Sequence, residues 1–208
     1  MSNFALPSKS LLQAQADWLA PARARLLRRV GVARRRRILD LGAGYGAVTG
    51  EWVRRGGGLV AALDRTATTS TGSVSGASAL CGDALALPFA ARSFDLVFCQ
   101  CVLMWVAATP STGSMTGLET AVSQIHRILE PNGVLIALEP DYGGMIEHPP
   151  EIATRDIWLS ALARAGAEPY TGRILPEILA AQGFTVRVDL LDALITADAA
   201  RFKFLQTL

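Results

Sequence analysis

The chain has 208 residues, half of them hydrophobic, and a formal net charge of only +2. This length supports one sizeable hydrophobic core and excludes two ordinary enzyme domains. Three cysteines without metal-site spacing, no apolar run of about 18 residues and no signal-peptide pattern predict a cytoplasmic protein without a membrane span.

Residues 1–37 are predicted to form a helical cap before the core. Ser8 or Ser10 can cap a first helix, and Pro21 suits the first turn of a second helix that ends near Gly31. This segment is rich in arginine, which is typical of a solvated helix face and a turn before a strand. Contact with RNA or an anionic substrate is the alternative. The arginines in question are Arg23, Arg25, Arg28, Arg29 and the run 34–37.

Beyond the cap, short apolar runs alternate with segments of helical spacing. Such alternation predicts an α/β protein with a Rossmann-like, doubly wound, mainly parallel sheet that has helices on both faces. We expect this core to span residues 38–190. The predicted strands are 38–41, 59–63, 94–101, 134–138 and 184–190, and the predicted helices of the core are 46–55 and 119–129.

Other segments fit this pattern less well. Residues 66–79 are almost wholly Ser, Thr, Gly and Ala, which predicts a flexible loop instead of a crossover helix. Helices predicted within 151–182 would join the N-terminal cap as a lid. The tail, 191–208, lacks a convincing seventh strand, so the chain is either truncated or closes its sheet differently.

The strongest local signal is the strand that runs through Asp40 into the glycines Gly42, Gly44 and Gly46. Glycine lets the backbone approach a ligand closely, and backbone amides can then contact that ligand. With Ala47, the spacing also satisfies a dinucleotide fingerprint. The glycines alone therefore do not separate a nicotinamide enzyme from other nucleotide binders.

Two acids follow at related positions. Asp64 comes directly after the second predicted strand, where its carboxylate can accept hydrogen bonds from both hydroxyls of a ribose. Asp83 lies in a loop before the strand that begins at Phe94, where it can accept a hydrogen bond from an adenine amino group. Together with the glycines, these acids predict a nucleoside site.

The motifs occur in the order seen in class I S-adenosylmethionine-dependent methyltransferases. DxGxGxG at 40–46, the acid Asp64, GDAxxLPF at 82–89 and SFDLVF at 93–98 carry the resemblance, which covers about residues 38–141. It is closest to the small-molecule branch related to ubiquinone and menaquinone biosynthesis methyltransferases. The resemblance implies that S-adenosylmethionine is the cofactor and that a small molecule accepts the methyl group by direct in-line displacement.

The resemblance also implies roles for individual residues. Asp40, Gly42, Ala43 and Gly44 would hold the methionine part of the cofactor, Asp64 the ribose, and Asp83 with the Ala84 amide the adenine. Cys99 and Gln100 would line the path to the sulfonium methyl.

Catalytic residues are harder to predict, because a sulfonium already activates its methyl group and the protein needs no covalent nucleophile. A general base helps only if the acceptor carries a proton that is difficult to remove. Glu139, Asp141, Tyr142 and His148 follow the strand 134–138 and are the candidates. Turn caps, an aromatic wall and an exposed loop are their alternative roles.

Other functions fit the sequence less well. Neither lysine has a tyrosine four residues away, which largely excludes a short-chain dehydrogenase, and two unclustered histidines predict no metal site. A non-catalytic protein that binds the cofactor or regulates a partner stays open. An RNA methyltransferase is supported only by the arginines, so a nucleic-acid partner is not expected. The motifs concern the cofactor and specify neither the acceptor atom nor the oligomeric state.

Overall fold

A computed structural model describes residues 7–66, 74–106, 116–145 and 154–190. Its centre is a five-stranded sheet in which all neighbouring strands are parallel, in the order β3-β2-β1-β4-β5. The order reverses between β1 and β4, which opens a crevice at the carboxyl ends of these strands. The strands are β1 (Arg37–Leu41), β2 (Leu59–Asp64), β3 (Ala77–Cys81), β4 (Phe94–Gln100) and β5 (Leu129–Leu138).

Helices cover both faces of the sheet, which confirms the predicted α/β, doubly wound architecture. Successive strand residues point to opposite faces, so that Val97 packs with α3 and α5, whereas Phe98 packs with α1 and α2. None of the described helices combines the length and apolarity that a membrane crossing requires. The helices are α1 (Lys9–Arg29), α2 (Thr49–Arg55), α3 (Thr116–Ile128), α4 (Thr154–Arg164) and α5 (Thr171–Ala181).

The N-terminal segment forms one helix, and the prediction of two helices that meet near Pro21 was wrong. Ser8 caps the helix as expected, since its Oγ accepts a hydrogen bond from the Leu11 amide. Pro21 lies inside α1 and removes only one internal hydrogen bond. Leu19 and Leu27 on either side of it are both buried, and their packing keeps the two halves in one helix.

Two strand predictions also differ from the structure. Residues 184–190 alternate like a strand, but they pair with no described strand. The loop predicted over 66–79 overlaps the edge strand β3, Ala77–Cys81, which forms through its pairing with β2. Four of its five residues are exposed, so β3 carries little of the hydrophobic pattern that reveals a strand. Residues 107–115 and the tail at 191–208 lie outside the described residues.

A buried ion pair joins the N-terminal helix to the core. Arg23 of α1 is 3% exposed, and its Nε lies 2.7 Å from Oε2 of Glu51 in α2. Its Nη1 donates to the side-chain oxygen of Gln100 at the end of β4 and to the carbonyl of Ala16. One guanidinium therefore connects α1, α2 and the central sheet. Glu51 keeps a second, half-exposed partner in Arg55.

We predict that Arg23→Ala lowers the free energy of unfolding by about 3 kcal/mol, because it leaves Glu51 with only one cation in a buried setting. Urea unfolding measures this change. Arg25→Ala, an exposed arginine of the same helix, is the matched control and should alter stability by no more than about 0.5 kcal/mol. If Arg23→Ala and Glu51→Ala proved simply additive in a double-mutant cycle, the ion pair would not couple the two helices.

Candidate functional site

A cavity of about 320 Å³ opens at the carboxyl ends of the strands. One side of it is formed by the tips of β1 and β2 and by the loop after β3. The other side is formed by the turns after β4 and β5 together with α1 and α4. Of the residues predicted to bind the cofactor, eight line this cavity: Asp40, Gly42, Ala43, Gly44, Asp64, Asp83, Ala84 and Gln100.

The turn after β1 depends on glycine for two separate reasons. Gly42 has a φ of 71°, which L side chains rarely adopt, and a Cβ there would lie 2.3 Å from Cγ2 of Val102. The group whose close approach requires glycine at position 42 is thus the Val102 side chain of the protein itself. The amides of Gly42 and Ala43 both donate to the carbonyl of Leu63, so these two N–H groups are not available to a ligand.

Asp64 ties this turn to the tip of β2. One carboxylate oxygen accepts a hydrogen bond from the Gly44 amide at 2.9 Å, and the other accepts from the Thr66 amide at 2.8 Å. Asp83, across the cavity wall, accepts a hydrogen bond from the Leu85 amide at 2.9 Å. Each oxygen can accept a further hydrogen bond, so both acids have the capacity to bind hydroxyl or amino groups in the cavity.

Asp40 is the most buried acid of the cavity wall, with 3% of its surface exposed. Burial raises its pKa to about 7, although the Thr49 hydroxyl that donates to it at 2.6 Å and the charge of Arg23 act in the opposite direction. Near neutral pH this carboxyl is therefore poised between its charged and neutral forms.

The opposite end of the cavity is apolar and aromatic. Met104, Trp105, Tyr142, Trp158 and Leu162 line it. Tyr142 and Trp158 meet edge to face, with ring centroids 5.9 Å apart. Burial raises the pKa of the Tyr142 phenol, so its hydroxyl stays protonated near neutral pH. Tyr142 is the catalytic candidate that lies in the cavity wall.

The other catalytic candidates lie elsewhere. Glu139 is not in the cavity wall; its carboxylate accepts hydrogen bonds from the amides of residues 102–104 and fixes the turn after β4. Burial raises its pKa to about 7. Asp141 pairs with Arg173, Nε to both carboxylate oxygens at 2.9 Å, away from the cavity. His148 lies outside the described residues.

The cysteines correct one further prediction. Cys99 does not line the cavity: it is fully buried on the face of the sheet that packs against α3. Strand alternation explains this, because its neighbours Phe98 and Gln100 both face the cavity. Cys101 is in the cavity wall and also packs against the buried cluster of Met104 and Leu162. It follows the strand with a positive φ of 55°, and this breaks the alternation.

The helices predicted to form a lid, the N-terminal cap and those within 151–182, include α1 and α4, and both contribute side chains to the cavity wall that the sequence did not single out. Leu11, Leu12 and Gln15 line the cavity from α1, and Trp158 and Leu162 from α4. Their spacing is that of an ordinary amphipathic helix, so nothing in the sequence distinguishes a cavity wall from a packed core face. No group of three or more potential metal ligands occurs within the described ranges.

The arginine run lies at the other end of the sheet. Arg37 begins β1, whereas the cavity lies at the ends of the strands. The Arg35 side chain donates to carbonyls of Val30 and Asp95, and Arg37 pairs with Glu130. These contacts stabilise the base of the sheet and place the run far from the cavity.

The strand order, with glycine and acidic residues at the tips of β1 and β2, is that of a Rossmann-like nucleoside-binding domain. Residues 39–137 match the family model described as a methyltransferase domain. The match covers just under half of the chain, and it makes this region similar to methyltransferase domains.

Two curated relatives are similar in sequence to about half of the chain. The biotin biosynthesis bifunctional protein BioHC of Cellvibrio japonicus is 31% identical over 102 residues, which are 48% of this chain and 18% of that protein. The malonyl-[acyl-carrier protein] O-methyltransferase of Enterobacter lignolyticus is 32% identical over 113 residues, 53% of this chain and 41% of that protein. The chain thus spans less than half the length of both curated relatives.

Solved structures share the fold. Phosphoethanolamine N-methyltransferase 2 of Haemonchus contortus, in complex with phosphomonomethylethanolamine and S-adenosylhomocysteine, superposes with a TM-score of 0.61 at 19% identity. The match covers 79% of this chain and 37% of that one. At this identity the likeness concerns the fold.

The buried carboxyl of Asp40 generates a pH prediction. Its pKa in the folded protein is about 7, above the ordinary value of 3.8, so the carboxyl of the unfolded chain ionises first as pH rises. The free energy of unfolding therefore falls as pH rises from about 4 to about 7, and burial of Asp40 lowers it by up to about 4 kcal/mol in total. We expect Asp40→Asn to remove this loss and to become more stable than the wild type above pH 7.

Chemical unfolding at a series of pH values measures the difference between Asp40→Asn and the wild type. Asp156→Asn is the control for replacing an exposed carboxylate, since 81% of that side chain is accessible. A stability difference between Asp40→Asn and wild type that does not change with pH would show that folding does not raise the pKa of Asp40.

Proposed function

We propose that this protein transfers the methyl group of S-adenosylmethionine to a small-molecule acceptor by direct in-line displacement. The observation that carries the proposal is the cavity itself, which has acidic groups and a glycine turn at one end and an aromatic wall at the other. This division suits a cation that lies across the strand tips and presents its methyl group to the aromatic end.

The charge of the cavity wall fits that cofactor. Among the described residues of the wall, three acids, Asp40, Asp64 and Asp83, stand against one cation, Arg65. S-adenosylmethionine carries a sulfonium and an ammonium group, and an acidic wall favours both. The glycine turn, whose first two amides are engaged by Leu63, offers carbonyl oxygens, and these accept hydrogen bonds from an ammonium group.

Individual residues then have defined tasks. Asp64 is already oriented by the Gly44 and Thr66 amides, and its remaining acceptor capacity suits the two hydroxyls of the ribose. Asp83 and the Ala84 amide suit the adenine. Asp40 and the turn 42–44 suit the methionine part, and Gln100, held by Arg23, borders the path toward the acceptor.

The cofactor supplies an activated methyl group, so the residues of this chain need to align the acceptor and exclude water. The side chains of Met104, Trp105 and Trp158 exclude water from the acceptor end. Tyr142 holds a protonated hydroxyl there and can orient the accepting atom by a hydrogen bond. The acidic residues after β5 are engaged elsewhere, which favours catalysis by alignment over proton abstraction.

Two other functions are less well supported. An RNA methyltransferase needs its basic surface beside the reacting methyl, whereas the run 34–37 lies at the base of the sheet. A protein that binds the cofactor without turnover has the same cavity as an enzyme. Only an activity measurement separates these two.

Transfer of a radiolabelled methyl group from S-adenosylmethionine to the small-molecule fraction of a cell extract tests the proposal. We expect labelled product in that fraction and none in RNA. Cofactor binding without any labelled product would contradict the enzymatic function, and labelled RNA would favour the alternative acceptor.

Asp64→Ala tests the site more directly. We expect it to weaken S-adenosylmethionine binding by about one to two orders of magnitude, or about 1.5 to 3 kcal/mol, because charge-assisted hydrogen bonds are lost. Isothermal titration calorimetry measures the affinity. Asp156→Ala, which removes an exposed acid from α4, is the matched control and should bind normally. Unaltered affinity in Asp64→Ala would remove this residue from the site.

A further inference from the structure

Gln100 ends β4 and contacts a buried cation on one side and the cavity on the other. The Nη1 atom of Arg23 donates to the side-chain oxygen of Gln100 at 3.0 Å. A guanidinium has donors and no acceptor, so the amide oxygen of Gln100 has to face Arg23. The amide nitrogen is then the polar atom left for the cavity. Gln100 therefore presents hydrogen-bond donors, and not an acceptor, to a ligand.

The guanidinium that sets this orientation is itself firmly held. Arg23 is 3% exposed, its Nε donates to Glu51 at 2.7 Å, and its Nη1 also donates to the carbonyl of Ala16 at 3.1 Å. Turning the guanidinium away from Gln100 would break these contacts in a buried setting. A charged donor also polarises the amide that it contacts, and hydrogen bonds in such a chain strengthen one another. The N–H groups of Gln100 are thus stronger donors than those of an isolated amide.

The amide of Gln100 lies near the acid of β1. Asp40 is the register partner of Phe98 in β4, and Gln100 follows Phe98 by two residues. Residues two apart in a strand point to the same face, so Asp40 and Gln100 share the face that packs against α1 and α2. The charge of Arg23 acts on Asp40 as well. An acidic acceptor and an amide donor therefore occur close together, which suits the ammonium and carboxylate groups of an amino acid.

The glycine turn does not supply a donor for such a carboxylate. All three amides of the turn 42–44 donate to acceptors of the protein, the first two to the carbonyl of Leu63 and the third to Asp64. The ionised form of Asp40 repels an anion. A carboxylate at this end of the cavity consequently needs a donor from another element, and the end of β4 provides one.

We propose that Gln100 binds the carboxylate of S-adenosylmethionine through its amide N–H groups, and that Arg23 is a positioning residue that fixes the amide for this contact. The inference rests on the proposed function, because it assigns the methionine part of the cofactor to the tips of β1 and β4. It makes the N-terminal helix α1 a determinant of cofactor specificity. Analogues of the cofactor that lack the carboxylate lose the contact with Gln100.

Two ligands that differ in one group measure this contact. They are S-adenosylhomocysteine and its decarboxylated form, which keeps the adenosine, the thioether and the ammonium group. Gln100→Glu leaves an acceptor for Arg23 but replaces the amide N–H groups by a carboxylate oxygen. In isothermal titration calorimetry we expect this variant to bind S-adenosylhomocysteine at least about tenfold more weakly than wild type, with no loss of affinity for the decarboxylated form.

Gln124→Glu is the matched control for this change of charge. The side-chain oxygen of Gln124 is also held by an arginine, since Nη2 of Arg127 donates to it at 2.8 Å, but Gln124 belongs to α3 and lies outside the cavity wall. Both affinities should be unchanged in this variant. No loss of S-adenosylhomocysteine affinity in Gln100→Glu, or the same loss in Gln124→Glu, would overturn the proposal.

Arg23→Met separates positioning from folding. It removes the donor that holds Gln100 and keeps much of the apolar bulk of the side chain. A purely structural effect weakens both ligands equally, whereas loss of positioning weakens S-adenosylhomocysteine alone. We expect the ratio of the two affinities to fall by about fivefold. An unchanged ratio would show that Arg23 does not position Gln100. If Arg23→Met does not fold, Gln100→Glu and its control still decide whether the contact exists.

This inference and the proposed function fail in different ways. If the wild-type protein binds neither ligand, the proposed function is wrong and the inference fails with it. If the wild-type protein binds S-adenosylhomocysteine and Gln100→Glu binds it equally well, the proposed function stands and the role of Gln100 is wrong.

Discussion

The hydrogen bond from the Gly44 amide to the carboxylate of Asp64 holds together the two strand tips on which the site depends. It fixes the turn after β1 against the end of β2, and Val102 from the turn after β4 packs on Gly42 where a side chain would otherwise lie. Three neighbouring strands of the sheet thus meet at one point. The cavity has a defined shape because these contacts leave the turn few alternatives.

Acidic groups close to this point are retained at a cost in stability. Asp40 and Glu139 both have pKa values raised to about 7 by burial, which means that their charged forms are poorly solvated. The two carboxyls differ in the hydrogen-bond donors that surround them. Glu139 is surrounded by three backbone amides and shapes the turn that includes Met104. Asp40 lines the cavity, where the Thr49 hydroxyl donates to it and the charge of Arg23 acts on it.

Sequence patterns predicted four of the five described strands, β1, β2, β4 and β5, and missed the edge strand β3. β1, β2 and β4 are mainly apolar because both of their faces are buried, and such runs are visible in the sequence. β3 is exposed along most of its length and exists because β2 offers it a hydrogen-bonding edge. Residues 184–190 show the reverse case, an alternating pattern without a described partner strand. Pairing, unlike hydrophobic pattern, is not a local property.

The sequence by itself determined the α/β class, the glycine turn and the acids that follow the first two predicted strands, because each depends on residue types at short spacing. Only the tertiary structure decided which side chains share the cavity. It excluded Cys99, whose direction follows from strand alternation, and it brought in Trp158, a helical residue far along the chain. It also showed that Arg23 is a buried link between α1 and α2 instead of part of a solvated basic face. These contacts join residues distant in sequence, and the physical reason they escape prediction is that packing of whole elements, not local propensity, sets them.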